Sequence, residues 1–124
     1  TLFPYPTLFR SILVGLAGSE LPKAGTALGL PVAHEAFADR RYEADGSLTP
    51  RSVEGAVIED ADTAVAQAVQ IATKGNVDIR TGGTLDLHVD TICVHGDRPD
   101  AALFACKLHD GLTAAGVEIA KAAG

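Results

Sequence analysis

The sequence predicts an α/β domain in which parallel strands alternate with helices and one β-hairpin is inserted between them. Three observations carry this prediction. Residues 12–36 form a strand, a capped helix and a second strand joined by short loops, the βαβ unit of a parallel sheet. Residues 76–89 alternate apolar and polar side chains around a Gly-Gly turn, the pattern of a hairpin with one wet face. Residues 91–97 are a short apolar run that breaks at His95-Gly96-Asp97, and a long amphipathic pattern follows at once.

Composition bounds the rest. The chain has 124 residues, 47% of them hydrophobic, enough for one domain with its own core. The net charge is −6 and no Lys/Arg cluster exists, which argues against nucleic acid or an anionic membrane as a partner. No apolar run is long enough to span a bilayer, and no charged segment followed by an apolar one reads as a secretory signal. Cys93 and Cys106 fall on a predicted strand and a predicted helix, too few for a disulfide framework, so a reducing, cytoplasmic setting is expected. Methionine is absent, which suggests that the natural start lies upstream. Residues 1–11 closely resemble the translation of a sequencing adapter, with Pro6 as the one departure. They are read as non-native and set aside, leaving 12–124 as the domain.

Each element has a local reason. Ile12-Leu13-Val14-Gly15-Leu16 is continuous and apolar, as a buried parallel strand requires. Ser19 is placed to cap the next helix, Pro22 sits in its first turn where a missing N–H costs little, and Gly29 stops it. Residues 31–36 form the second strand. Residues 37–51 are irregular and charged around an Asp45-Gly46 turn signal, and Glu43 and Asp45 are expected to stand free in water. After the apolar piece 55–58, Asp60 caps a helix over about 61–73, whose Ala61, Ala64, Val65, Ala68, Val69 and Ala72 keep helical spacing, and Gly75 ends it. In the hairpin, Val77, Ile79, Leu85, Leu87 and Val89 share one face, and Asp78, Arg80, Asp86 and His88 the other. The last helix, about 99–115, puts Ala101, Phe104, Ala105, Leu108, Leu112 and Ala115 on one stripe. Residues 117–119 are expected to open a final strand.

The residues able to do chemistry sit at strand ends. His95 and Asp97 flank a glycine, and Glu35, Asp39 and Arg40 leave the other parallel strand on the same side of the sheet. Carboxylates with a histidine make a hydrolytic set that can activate water or polarise a carbonyl. Arg40 and Arg51 can clamp a carboxylate or phosphate. Plainer readings stand beside these: Asp97 as the N-cap of the next helix, and the charges of 35–51 as an ion-pair network that fixes the loop. His34 points opposite to Glu35 and is expected to pack. His88 is assigned to the wet face of the hairpin and His109 to a helix surface. No Cys/His spacing suggests zinc, so no metal ligand is assigned, and Gly82-Gly83 is a turn and not a phosphate loop.

Glu35-Ala36-Phe37-Ala38-Asp39-Arg40, Tyr42, Asp45-Gly46, Leu48, Pro50-Arg51-Ser52, Gly55-Ala56-Val57-Ile58 and Ile92-Cys93-Val94-His95-Gly96-Asp97 resemble, in order and spacing, the LamB/YcsF family, which supplies the A component of bacterial ATP-dependent 5-oxoprolinase. The resemblance runs from about Ile12 to the C-terminus. It implies a (β/α) barrel of the polysaccharide-deacetylase-like type, of which this chain is the C-terminal part. It implies hydrolysis of 5-oxo-L-proline to L-glutamate with ATP as co-substrate, in a complex with the B and C subunits, and leaves metal dependence open. Glu35, Asp39, His95 and Asp97 are then the catalytic candidates, and Arg40, Arg51 and Tyr42 the substrate-binding ones. Two departures stand out. Arg41 occupies a place where the family usually has a small residue. The family's N-terminal half, with an acidic Asp-Leu-Asn-type motif and several His motifs, has no counterpart here. A closed barrel takes about 250 residues, so exposed sheet edges, apolar patches and no independent catalysis are expected. Two other functions stay open: a non-catalytic docking role toward the B and C partners, and a metal-dependent carbohydrate deacetylase-like hydrolase.

Overall fold

A computed structural model describes residues 11–122, so most of the adapter-like segment lies outside the described residues. The elements follow the predicted alternation: β1 (Leu13–Leu16), α1 (Glu20–Ala27), β2 (Val32–Phe37), α2 (Ala61–Lys74), the hairpin strands β3 (Asn76–Asp78) and β4 (Thr84–Asp86), β5 (Thr91–Cys93) and α3 (Ala101–Ala114). The main sheet is parallel in the order β1-β2-β5, and β3 and β4 pair separately and antiparallel. The register sets Gly15 beside His34 and Phe37 beside Cys93. Both β1 and β5 are edge strands among the described residues, and Val14 and Val94 are exposed on or next to them.

Glycine and caps explain how closely the layers meet. Gly25 lets α1 lie against β1, because a Cβ there would come within 2.4 Å of Leu13 Cδ2. Gly111 does the same for α3 on α2, where a Cβ would meet Val65 Cγ1 at 2.4 Å. The Asp60 carboxylate accepts the Thr63 N–H at 2.8 Å, and Gly75 closes α2 in the left-handed region at φ 67°. Ser19 holds the N-cap position of α1, but its hydroxyl donates to the Leu16 carbonyl and caps nothing. Two apolar clusters result. Ala38, Ile58, Ala64, Ala68, Phe104, Leu108 and Leu112 form one, and Ala17, Ala36, Tyr42, Ile71, Val77 and Leu87 the other. Helix α2 contributes to both and joins them.

The loop after β2 is more ordered than its composition suggests. Arg40 bridges Val57, and Tyr42 bridges both Leu48 and Ile79. Glu43 is not free in water. Arg80 grips both its oxygens at 2.6 and 3.1 Å, and the Thr49 hydroxyl donates to it at 2.8 Å. Asp45 turns inward on its own backbone, accepting the Ser47 N–H at 2.9 Å. The C-terminal end differs too. Residues 117–119 form no strand: the Val117 N–H closes α3 onto the Leu112 carbonyl at 3.0 Å, and its side chain packs on the first cluster. Ala105 and Ala115 are exposed, so the buried stripe of α3 narrows to Phe104, Leu108 and Leu112. Among the described residues, no helix is long and apolar enough to cross a membrane.

Candidate active site

Strands β2 and β5 run parallel and release their chains side by side. Asp39 follows β2, and His95 and Arg98 follow β5. A buried scaffold fixes the first exit. The Gln67 amide on α2 donates to the carbonyls of Phe37, Ala38 and Arg40 at 3.0, 3.1 and 2.8 Å. The Tyr42 hydroxyl accepts the Phe37 N–H at 3.0 Å, and the Ile58 N–H donates to the Asp39 carbonyl at 2.8 Å. The backbone carrying Asp39 is therefore held on three sides.

The Asp39 side chain is only 10% exposed, and Arg98 Nη1 lies 3.6 Å from its Oδ2. Its Oδ1 is buried with no hydrogen-bond partner among the described residues. His95 Nδ1 lies 3.9 Å from that atom, a charge contact too long for a hydrogen bond. The His95 ring stacks on Phe37, with centroids 5.6 Å apart and planes 16° from parallel, and its Nε2 lies 3.8 Å from Cys93 Sγ. Burial, reinforced by the negative charges of Glu35 and Asp39, pushes the Cys93 thiol up to about 11. Cys93 is therefore a neutral thiol at physiological pH and no nucleophile.

Arg98 is clamped from several directions. Its Nη2 donates to the Glu59 carbonyl at 3.1 Å and to Asp100 at 3.0 Å, and its guanidinium lies 4.3 Å over the Phe104 ring. These groups border a cleft of about 500 Å³, lined by Asp39, Arg51, Glu59, His95, Asp97 and Arg98 among others.

The structure sorts the candidates. Asp39, His95, Asp97 and Arg51 meet on this cleft. Glu35 stands behind it, against Cys93. Asp97 does not cap α3: Asp100 holds the N-cap position, leaving Asp97 exposed at the cleft. Arg40 and Tyr42 do not reach the cleft. Arg40 is 8% exposed and donates to the Thr49 carbonyl at 2.8 Å, and burial, then Arg51, lowers its pKa. Tyr42 is fully buried, and burial raises its pKa. Both build the floor of the loop, because the bridges to Val57 and Leu48 fold it over them. Arg98 and Glu59 were not among the sequence candidates. The available signal for Arg98 was its place on the same loop as His95, three residues on. A separate group of metal-ligating types, His34, His88 and Asp90, gathers elsewhere.

Known proteins resemble this chain closely. The model of the LamB/YcsF family matches residues 7–124. The 5-oxoprolinase A subunit of Methylococcus capsulatus is 52% identical over 113 residues, 91% of this chain and 44% of that protein. Its namesake in Bacillus subtilis is 49% identical over 108 residues, 87% of this chain and 42% of its own length. The crystal structure of a lactam utilization protein from Thermus thermophilus superposes with a TM-score of 0.82 at 33% identity, covering 91% of this chain and 45% of that one. This chain thus spans less than half the length of these relatives, and over that span it shares the α/β fold of the Thermus protein. The family match extends over both strand exits that build the cleft, and the chain belongs to the LamB/YcsF family.

Proposed function

We propose that this chain is part of the A component of an ATP-dependent 5-oxoprolinase, forming a section of a (β/α) barrel wall whose mouth opens 5-oxo-L-proline to L-glutamate in the cytoplasm, together with the B and C subunits. One observation carries the reading: a buried carboxylate oxygen of Asp39 lacks a donor beside His95, at a cleft of about 500 Å³. Structural carboxylates in folded proteins are satisfied, and an unsatisfied one beside a titratable ring marks a place for chemistry. The names of the relatives, a 5-oxoprolinase component and a lactam utilization protein, supply the reaction class.

The chemistry has a physical order. Amide resonance protects the lactam carbon, so the oxygen must first be made a leaving group. Phosphoryl transfer from ATP to that oxygen does this and leaves ADP. Water, losing a proton to His95 or to a cleft carboxylate, attacks the ring carbon. The ring C–N bond breaks and the nitrogen takes a proton, leaving γ-glutamyl phosphate, and a second water then hydrolyses this acyl phosphate to L-glutamate and inorganic phosphate. Arg51 on the cleft wall holds the substrate carboxylate or the transferred phosphate. Arg98, already engaged by Asp100, Glu59 and Phe104, positions Asp39.

The test uses a full-length A component that carries residues 12–122 of this chain, assembled with B and C. Asp39→Asn and His95→Ala are each expected to lower turnover by about 10²–10⁴-fold with assembly intact, the usual range for an acid–base residue. Unchanged turnover would transfer the site elsewhere and favour a docking role. The 124-residue chain alone is expected to release no glutamate from 5-oxoproline and ATP. Measurable release would overturn that expectation.

A further inference from the structure

A second set of ligating side chains lies at the other end of β5. Asp90 enters that strand, whereas His95 leaves it. His34 on β2, with His88 and Asp90 on the link from the hairpin, each bring one ligand atom within 4.8 Å of the others. The frame is fixed by two hydrogen bonds in opposite directions, one from backbone to side chain and one between backbones. The His34 N–H donates to Asp90 Oδ2 at 2.9 Å, and the Asp90 N–H donates to the His34 carbonyl at 2.8 Å. One carboxylate oxygen is thereby used, and the other, Oδ1, faces His88 Nε2 at 3.4 Å. The two imidazoles meet edge to face with centroids 5.1 Å apart. The His88 side chain is 78% exposed, so solvent ions reach it. Lys23 and Asp86 border the same hollow, and Lys23 is engaged by Glu20 at 2.9 Å.

We propose that His34, His88 and Asp90 bind a divalent transition-metal cation of the zinc type, with water in the remaining positions. Imidazole nitrogen and carboxylate oxygen are the donors such ions take. A zinc–nitrogen distance of about 2.0–2.1 Å puts tetrahedral donors roughly 3.3 Å apart. The His88–Asp90 pair already has that spacing, and rotation of an exposed ring closes the third side. The His34 N–H holds the Asp90 carboxylate beforehand, so little order is lost on binding. The ion ties the exit of the hairpin to the face of β2 that α1 covers, away from the cleft. Its effect is therefore on stability and not on the reaction.

Zinc chloride titrated into the metal-free 124-residue chain, followed by calorimetry and by the histidine ring resonances in NMR, tests this. One ion is expected to bind in the micromolar range, moving the ring signals of His34 and His88 while those of His95 and His109 stay. His88→Ala, a change at an exposed position, is expected to keep the fold and weaken binding by about tenfold or more, and His34→Gln likewise. Binding that survives both substitutions, unmoved His34 and His88 signals, or no binding below millimolar zinc each overturns the site.

Discussion

Asp39 and Tyr42 lie three residues apart on one loop, and the fold treats their polar atoms in opposite ways. The Tyr42 hydroxyl is fully buried and bonded to the Phe37 N–H, and the Gln67 amide nearby serves three carbonyls. The Asp39 carboxylate, almost as buried, keeps one oxygen without a donor. Burying a polar atom without a partner costs about 1–3 kcal/mol. Arg40 Nε, one residue on, is likewise buried without a partner, but of the two residues only Asp39 lines the cleft. An unpaired atom that also faces the cleft is what separates site from scaffold.

The scaffold side of the comparison predicts large stability effects. Gln67→Leu leaves the carbonyls of Phe37, Ala38 and Arg40 without their shared donor, and it should destabilise the chain by about 2–4 kcal/mol in urea denaturation. A loss below about 1 kcal/mol would mean that water replaces the amide and that the scaffold is softer than described. Tyr42→Phe keeps the ring in the core but strips the acceptor from the Phe37 N–H, with an expected cost of about 1–3 kcal/mol. Both changes should also loosen Asp39, so turnover in the assembled enzyme should fall along with stability.

The site side predicts the reverse pattern. Asp39→Asn removes a charge that has one long contact to Arg98 and an unsatisfied oxygen, so stability should shift by less than about 1 kcal/mol while turnover is lost. Equal losses in both would place Asp39 with the scaffold and erase the distinction. Chemical and thermal denaturation beside activity in the complex make the measurement.

Much of this division was legible in the residues. Asp60 and Gly75 bound α2 where expected, because a cap reads its own backbone three residues away and a left-handed stop needs a glycine. The convergence of Asp39 with His95 and Asp97 follows from parallel strands alone. What failed depends on contacts between distant segments. Arg40 and Arg51 are equivalent as charges, and only the bridge from Arg40 to Val57 buries one and leaves the other on the cleft. Asp97 had the residue type of a cap, but Arg98 is tied to Glu59 and Asp39, and Asp100 takes the N-cap position three residues later. Gly111 looks like a weak spot in a helix until Val65 is seen against it. An apolar triplet such as 117–119 cannot tell whether a neighbouring strand exists to receive it.

The smallest expected effect concerns Glu43 and Asp60, carboxylates nearer the surface than Asp39 that accept hydrogen bonds from neighbouring side chains. Hydrogen bonds from Arg80, and then from the Thr49 hydroxyl, hold the Glu43 carboxyl below the usual carboxylate range, and Thr63 does the same for Asp60. Folding depresses both pKa values, so the sign is that of a stabilised anion. The contribution is fully present above the unfolded pKa of about 4 and is lost as the pH falls through the lower folded value. Tm should therefore be flat from about pH 7 to about pH 5 and decline below about 4. Glu43→Gln should lower Tm at neutral pH slightly, because a largely screened pair contributes little, and should flatten the acid decline by a matching amount. An acid decline identical to that of the unsubstituted chain would show that the Glu43–Arg80 pair does not persist in solution, and the loop that carries Asp39 would then rest on its buried bonds to Gln67, Tyr42 and Ile58.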